Sequence, residues 1–466
     1  MPQKTRRLGT MLARFSGLLS WVIASTLLAA ADRPNIVLVL CDDLRADALG
    51  CMGHPWAQTP NIDQLSVDGV TFDRAFAVSA ISVTSRGNLL TGQYAALSKW
   101  RHGDFRGKEL TASQLRQTYL SKLKLAGYRV NYVGKWGIGT PPRAFFDQNL
   151  AFGGEGHYQT SEEEPHLTAA TAAQAVSVIQ NGDGRPFFLG IGFKAPQAEE
   201  GKKPLFYPYD VNLVGDLYTD ILVGRPSLSG PDYFNGLPDF MKRSLNREHW
   251  GYQLSSPELF RSSVKGYHRL VAGVDHAVGQ IVDALEESGQ MENTVMIFTS
   301  VHGTYLGTRG FAGAWLPHEP SIAIPLIIVD PRLPVTERGR RNEFALTIDL
   351  ASTILELAGT DPMPGSQGKS LLPILEGGAP EDWRDEFFYE HYFMPFKIPA
   401  TEAVRTERWK YIRYMNSDPL FEELYDLSKD PLEERNLIGN VDYAFVHRMM
   451  EKKWLEHHEK VKLRVR

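Results

Sequence analysis

Short apolar runs alternate with longer amphipathic stretches along this chain, and that alternation limits the fold more than any other feature. The runs are Ile36-Val37-Leu38-Val39-Leu40, Val130 to Val133, Phe187 to Phe193, Val295 to Phe298 and Ile322 to Val329. Unbroken hydrophobicity over so few residues marks strands covered on both faces, as in a mostly parallel sheet. Between the runs, residues 111–126 and Ser263–Ser288 repeat apolar side chains near helical spacing. The pattern predicts an α/β fold, a large and mostly parallel sheet covered by helices. Ligands of such sheets gather beyond the carboxyl ends of the strands. The residues that follow the first four runs are therefore the candidates for chemistry: Asp42-Asp43, Gly134-Lys135-Trp136-Gly137, Lys194-Ala195-Pro196-Gln197 and Thr299-Ser300-Val301-His302-Gly303.

The flanking segments suggest boundaries. Residues 359–381 are rich in Gly and Pro, and from Asp382 the texture changes to shorter strand-like pieces such as Trp409-Lys410-Tyr411-Ile412-Arg413-Tyr414, followed by a helix. This predicts a main domain over 32–381 and a smaller α+β subdomain over 382–466. At the other end, Lys4, Arg6, Arg7 and Arg14 precede an apolar stretch from Phe15 to Leu28 that closes on Ala29-Ala30-Ala31. Basic residues, a short apolar segment and small residues, in that order, read as a secretory signal peptide over 1–31. The stretch is short of the ~20 apolar residues that span a bilayer. The expectation is an exported protein in a periplasmic, extracellular or lysosome-like compartment, with no stable membrane span after cleavage.

A length of 466 residues, 43% of them hydrophobic, is enough for a large core. The net charge of -5 gives no electrostatic case for binding nucleic acid. Two cysteines, Cys41 and Cys51, are too few for a disulfide framework. Cys41 ends an apolar run and reads as a buried thiol.

Several motifs then follow one another from about residue 33 to 440. The first are RPNIVLVLCDDLRADALGCMGH, TPNIDQLSVDGVTFDRAFA and SVTSRGNLLTGQY; AGYRVNYVGKWGIG, TIDLASTILELAG, AVRTERWKYIRY and ELYDLSKDPLEERNL come later. Their succession resembles the formylglycine-dependent sulfatases of the alkaline-phosphatase-like superfamily, and among these it is most similar to the iduronate-2-sulfatase group. The resemblance implies a Cys or Ser oxidised to formylglycine, whose hydrate attacks the sulfur of a sulfate ester. It also implies a divalent cation, usually calcium, and basic residues that bind the sulfate and protonate the leaving group.

Carried over residue by residue, the leading cation carboxylates fall on Asp42 and Asp43. The pattern C-x-P-S-R falls on Ser82-Val83-Thr84-Ser85-Arg86, with Ser82 as nucleophile, Thr84 in place of proline and Arg86 kept. Lys135 is kept from G-K-W-H-x-G, but Gly137 replaces the histidine. Gln197 replaces the histidine of F-x-x-P-H by an amide that hydrogen-bonds without exchanging a proton near neutral pH. The cation element S-D-H-G keeps His302 and loses its carboxylate at Val301. The basic residue after the L-G-x-x-G turn falls on Ala314, with Arg309 and His318 as nearby replacements.

Two accounts remain open. In the first, changes at four separated segments of one cleft end conventional sulfatase chemistry, since one oxyanion-type contact alone is worth ~10²–10³ in rate. The shell then binds sulfated glycans through Asp42, Asp43, Arg86 and Lys135, with Gln197, His302 and His318 as further substrate contacts. In the second, an active sulfuric ester hydrolase acts on sulfated polysaccharide, using Ser82 as formylglycine and calcium held by Asp42, Asp43 and His302 in a site left incomplete by Val301. Hydrolysis of phosphate or phosphonate esters ranks behind both.

Overall fold

The computed structural model describes residues 33–463 apart from 101–104, 160, 162, 200–205 and 227, so the expected signal peptide lies outside the described residues. The main sheet contains β1 (Asn35–Asp42), β2 (Val70–Phe72), β4 (Arg129–Lys135), β5 (Gln148–Phe152), β6 (Phe187–Pro196), β7 (Thr294–Ser300), β8 (Leu326–Val329) and β9 (Gly339–Arg341); β3 (Ala75–Phe76) pairs separately with β10 (Ala345–Leu346). Its order is β5-β4-β6-β1-β7-β8-β2-β9. Only β8 runs against its neighbours. The sheet is thus mostly parallel, as the apolar runs predict.

Alternation along β1 explains why its run is continuous. Ile36, Leu38 and Leu40 enter one core, where the helices Ser82–Thr91, Tyr119–Leu125 and Asp349–Leu357 lie. Val37, Val39 and Cys41 enter the other, against Leu167–Gln180 and Pro257–Glu287. Successive strand side chains point to opposite faces, and both faces here are covered. Cys41 is buried and Cys51 half-buried, and both are free thiols.

Two elements differ from the sequence pattern for identifiable reasons. The helix expected over 111–126 is broken into Ala112–Leu115 and Tyr119–Leu125. Thr118 Oγ1 and Ser121 Oγ both donate to the Leu115 carbonyl, at 2.7 and 2.6 Å, and so compete with a continuous helical ladder. The run Ile322 to Val329 is divided between a short helix, Glu319–Ile322, and β8. Pro325, which has no amide hydrogen, bounds that strand.

The remaining strands, β11 (Glu386–His391), β12 (Thr401–Thr406), β13 (Trp409–Tyr414) and β14 (Phe421–Asp426), form an antiparallel sheet in sequence order, backed by the helix Ala444–Leu463. Its core is shared. Tyr389, Val404 and Tyr411 pack in one cluster with Phe76, Tyr305, Leu316 and Phe344 from the main part of the chain. Among the described residues, no helix is long and apolar enough to cross a membrane.

Candidate functional site

Strand order brings the carboxyl ends of β4, β6, β1 and β7 side by side. Asp42, the last residue of β1, is fully buried at their centre. Lys135 Nζ, at the end of β4, lies 2.9 Å from Asp42 Oδ2, and Arg86 Nη2 lies 3.3 Å from the same oxygen. Ser82 Oγ donates to the other oxygen, Asp42 Oδ1, at 2.7 Å and stands 3.1 Å from His302 Nε2. His302 Nδ1 lies 3.3 Å from Asp43 Oδ1 and 2.9 Å from the Gly303 carbonyl. Asp43 takes a left-handed turn, with φ 63°, directly after the strand.

Ser82 opens the helix Ser82–Thr91, whose cap position is taken by Ile81 with no side-chain hydrogen bond. The serine hydroxyl therefore faces the cluster rather than capping its own helix. One turn later Arg86 is buried from the same helix. Its Nη1 donates to the Tyr132 hydroxyl at 3.2 Å and the Lys135 carbonyl at 3.1 Å.

Charge balance fixes the protonation of the group. Burial opposes ionisation of Asp42, but Lys135, then Arg86, with the Ser82 hydrogen bond, hold its carboxyl well below the usual range. Burial likewise disfavours the Lys135 ammonium, yet Asp42 and Glu155 keep its pKa above the ordinary lysine value. Burial is the main reason that His302 is pushed down, so its imidazole is favoured as the neutral form.

Asp42, Asp43 and His302 offer ligand atoms that all lie within 4.8 Å of one another. Two carboxylates and a neutral imidazole fit a divalent cation, which would polarise an oxygen brought against it. They fall well short of the six to eight oxygen ligands that calcium takes. Val301, where a further carboxylate is expected, is fully buried in an apolar cluster. Its amide donates to the Cys41 carbonyl at 3.0 Å, and its own carbonyl accepts from Ser85 Oγ at 2.5 Å.

The other substituted positions are also occupied by contacts of their own. Gly137 has φ +72°, and a Cβ there would lie 2.6 Å from Arg86 Nε and 2.7 Å from Arg86 Cδ. Gln197 Oε1 accepts from Lys135 Nζ at 2.7 Å. Ala314 is buried, with its carbonyl held by Asn246 Nδ2 at 2.7 Å. Neither nearby replacement reaches the cluster. His318 has both ring nitrogens engaged, with the Tyr305 hydroxyl at 2.6 Å and Glu423 Oε2 at 3.0 Å. Arg309 bonds the Tyr233 hydroxyl and the Glu433 carbonyl.

Two members of the site were missed by sequence reasoning. Glu155 Oε2 accepts from Lys135 Nζ at 2.8 Å. It follows the edge strand β5, Gln-Asn-Leu-Ala-Phe, which has no apolar run to announce it, although the Gly-Gly-Glu-Gly sequence marked a turn. Tyr267, from the helix Pro257–Glu287, donates to the Asp43 carbonyl at 2.9 Å and accepts from the Arg45 amide at 3.0 Å, fixing the loop behind the acidic pair.

Comparison with known proteins identifies the family. The sulfatase family model matches residues 34–360, and the model of the N-sulphoglucosamine sulphohydrolase C-terminal region matches 307–460. The chain is 27% identical to the N-acetylglucosamine-6-O-sulfatase of Bacteroides thetaiotaomicron over 88% of this chain and 84% of that protein. It is also 27% identical to human arylsulfatase A, over 89% and 85% of the two chains. A protein solved in complex with its substrate D-glucosamine-2-N,6-O-disulfate superimposes with a TM-score of 0.79 at 24% identity, covering 92% of this chain and 98% of that one. The large sheet with its second antiparallel sheet is thus the alkaline-phosphatase-like fold of those enzymes. With the family match covering most of the chain and the acidic pair, Ser82 and Arg86 gathered where four strands end, this chain belongs to the sulfatase family.

Proposed function

We propose that this is an exported sulfatase-family protein that recognises sulfate groups on glycans in a cleft whose conventional hydrolytic machinery is dismantled. The observation that carries the reading is the closure around Gly137, where Arg86 occupies the space that any side chain at that position would need. A cleft with Gly137, Gln197, Val301 and Ala314 lacks both histidines and the basic residue that the family places there, and has one carboxylate fewer for a cation. Arg86 and Lys135 are kept, and buried cations at the carboxyl ends of the strands suit a sulfate oxyanion. The relatives that act on sulfated hexosamines make a sulfated amino sugar the first ligand to try.

A second reading is favoured by one contact. Ser82 Oγ lies within hydrogen-bond reach of Asp42 and His302, as a nucleophile beside a cation site would. In that case Ser82, matured to formylglycine, hydrolyses the ester with a divalent cation on Asp42, Asp43 and His302. Mass spectrometry of the peptide containing Ser82, with an aryl sulfate assay in calcium and heparin binding on the same preparation, separates the two. The first reading expects an unmodified serine, heparin retention and no turnover. Conversion of Ser82 with loss of two hydrogens, together with turnover abolished by Ser82→Ala, would overturn it.

A further inference from the structure

An ammonium group has three N–H donors; Lys135 gives two of them to Gln197 and Glu155 and holds Asp42 beside it as an ion pair. Its Nζ lies 2.9 Å from Asp42 Oδ2, 2.7 Å from Gln197 Oε1 and 2.8 Å from Glu155 Oε2. A sulfate oxygen can therefore reach this lysine only by taking the place of one of these acceptors. Asp42 is fully buried at the end of β1, and Gln197 is half-buried beside it. The Glu155 side chain is different, with 69% of its surface exposed.

The backbone around Glu155 is equally uneven. It sits in Gly153-Gly154-Glu155-Gly156, where Gly154 and Gly156 have φ values of +75° and +66°, and a Cβ on Gly154 would meet nothing within 4 Å. From Gly156 onward the chain is tied to the end of β6 and the residues after it. Lys194 Nζ donates to the Gly156 carbonyl at 2.7 Å, and the Tyr158 amide donates to Glu199 Oε2 at 2.8 Å. The Tyr158 hydroxyl donates to the Gln197 carbonyl at 2.7 Å. The carboxylate is thus carried on a short glycine-flanked tip whose far end is anchored, so it can leave Lys135 while the cleft wall stays in place.

We propose that Glu155 is the specificity gate of the cleft: its carboxylate takes the solvent-facing donor of Lys135, so that a sulfate-ester anion binds only by displacing it. The inference rests on the reading of Lys135 as the sulfate contact. It follows that neutral ligands have no means of opening this contact. Anions open it by exchange, and a lone sulfate binds more weakly than the buried cations alone would allow.

Titration of the full-length protein with inorganic sulfate, followed by calorimetry, tests the gate. Removing a charge-assisted competitor should tighten sulfate binding about tenfold or more in Glu155→Ala, with Glu155→Gln between that variant and the unaltered protein. Equal affinity in all three overturns the gate. Adding Lys135→Gln to the Glu155→Ala variant separates the gate from the reading beneath it. Loss of the gained affinity supports both. Undiminished binding shows that Lys135 is not the anion contact and overturns both, as does an absence of sulfate binding in every variant. If Lys135→Gln alone abolishes binding while the Glu155 variants change nothing, only the gate fails.

Discussion

A histidine at position 137 would bring its Cβ within 2.6 Å of Arg86 Nε, on a backbone with φ +72°. The left-handed conformation alone costs a non-glycine residue about 1–2 kcal/mol, and displacing a buried guanidinium adds to that. Gly137→His should therefore lower the urea midpoint by the equivalent of at least ~1–2 kcal/mol and leave aryl sulfate turnover where it was. A gain in turnover would mean that the cleft had kept room for an acid. The sequence made much of this scale readable, because Asp42, Ser82, Arg86, Lys135 and His302 stand directly after runs or within motifs, and all converge. The fate of His318 was not readable. Its partner Glu423 lies 105 residues further along the chain, and no local pattern reports so distant a contact.

Lys410 shows how elements far apart in sequence are joined. It projects from β13, is fully buried, and places its Nζ 2.6 Å from both Glu319 Oε1 and Glu433 Oε1 and 3.0 Å from the Pro317 carbonyl. Removing one partner from a buried ion group leaves the others uncompensated, which typically costs about 3–5 kcal/mol. Lys410→Met should thus produce a loss of that order in chemical denaturation, even though the new side chain is apolar and fills similar space. A change below about 1 kcal/mol would place this group among ion pairs of surface strength. Strands were legible at this scale because both faces of β1, β6 and β7 are covered, which leaves a continuous apolar run. The edge strand β5 is half-exposed and left no such signal, and Thr118 and Ser121 broke a helix through hydrogen bonds that apolar spacing does not report.

For the molecule as a whole, two kinds of buried group act together on acid stability. Burial works against ionisation of Glu423, but His318 and Arg309 outweigh it and bring its pKa from 4.5 to about 2. Its contribution is complete above pH 4.5 and is lost as pH falls towards 2. Burial, with smaller effects from His54 and Arg45, brings His268 from 6.5 to about 3. The unfolded chain protonates this histidine first, so stability declines from pH 6.5 downwards. Melting temperatures should fall progressively from pH 6.5 to 5 and 4, and His268→Phe should make that fall shallower without abolishing it, because burial lowers His54, His166, His302 and His318 as well. A melting temperature that rises on acidification contradicts both signs. Asp42 bears on what the architecture needs at its centre. With an ammonium and a guanidinium already against it, this buried acid is electrically satisfied from within. With or without an inorganic ion beside it, this carboxylate leaves no orphaned charge at the heart of the sheet, so the architecture does not depend on a bound cation to neutralise it.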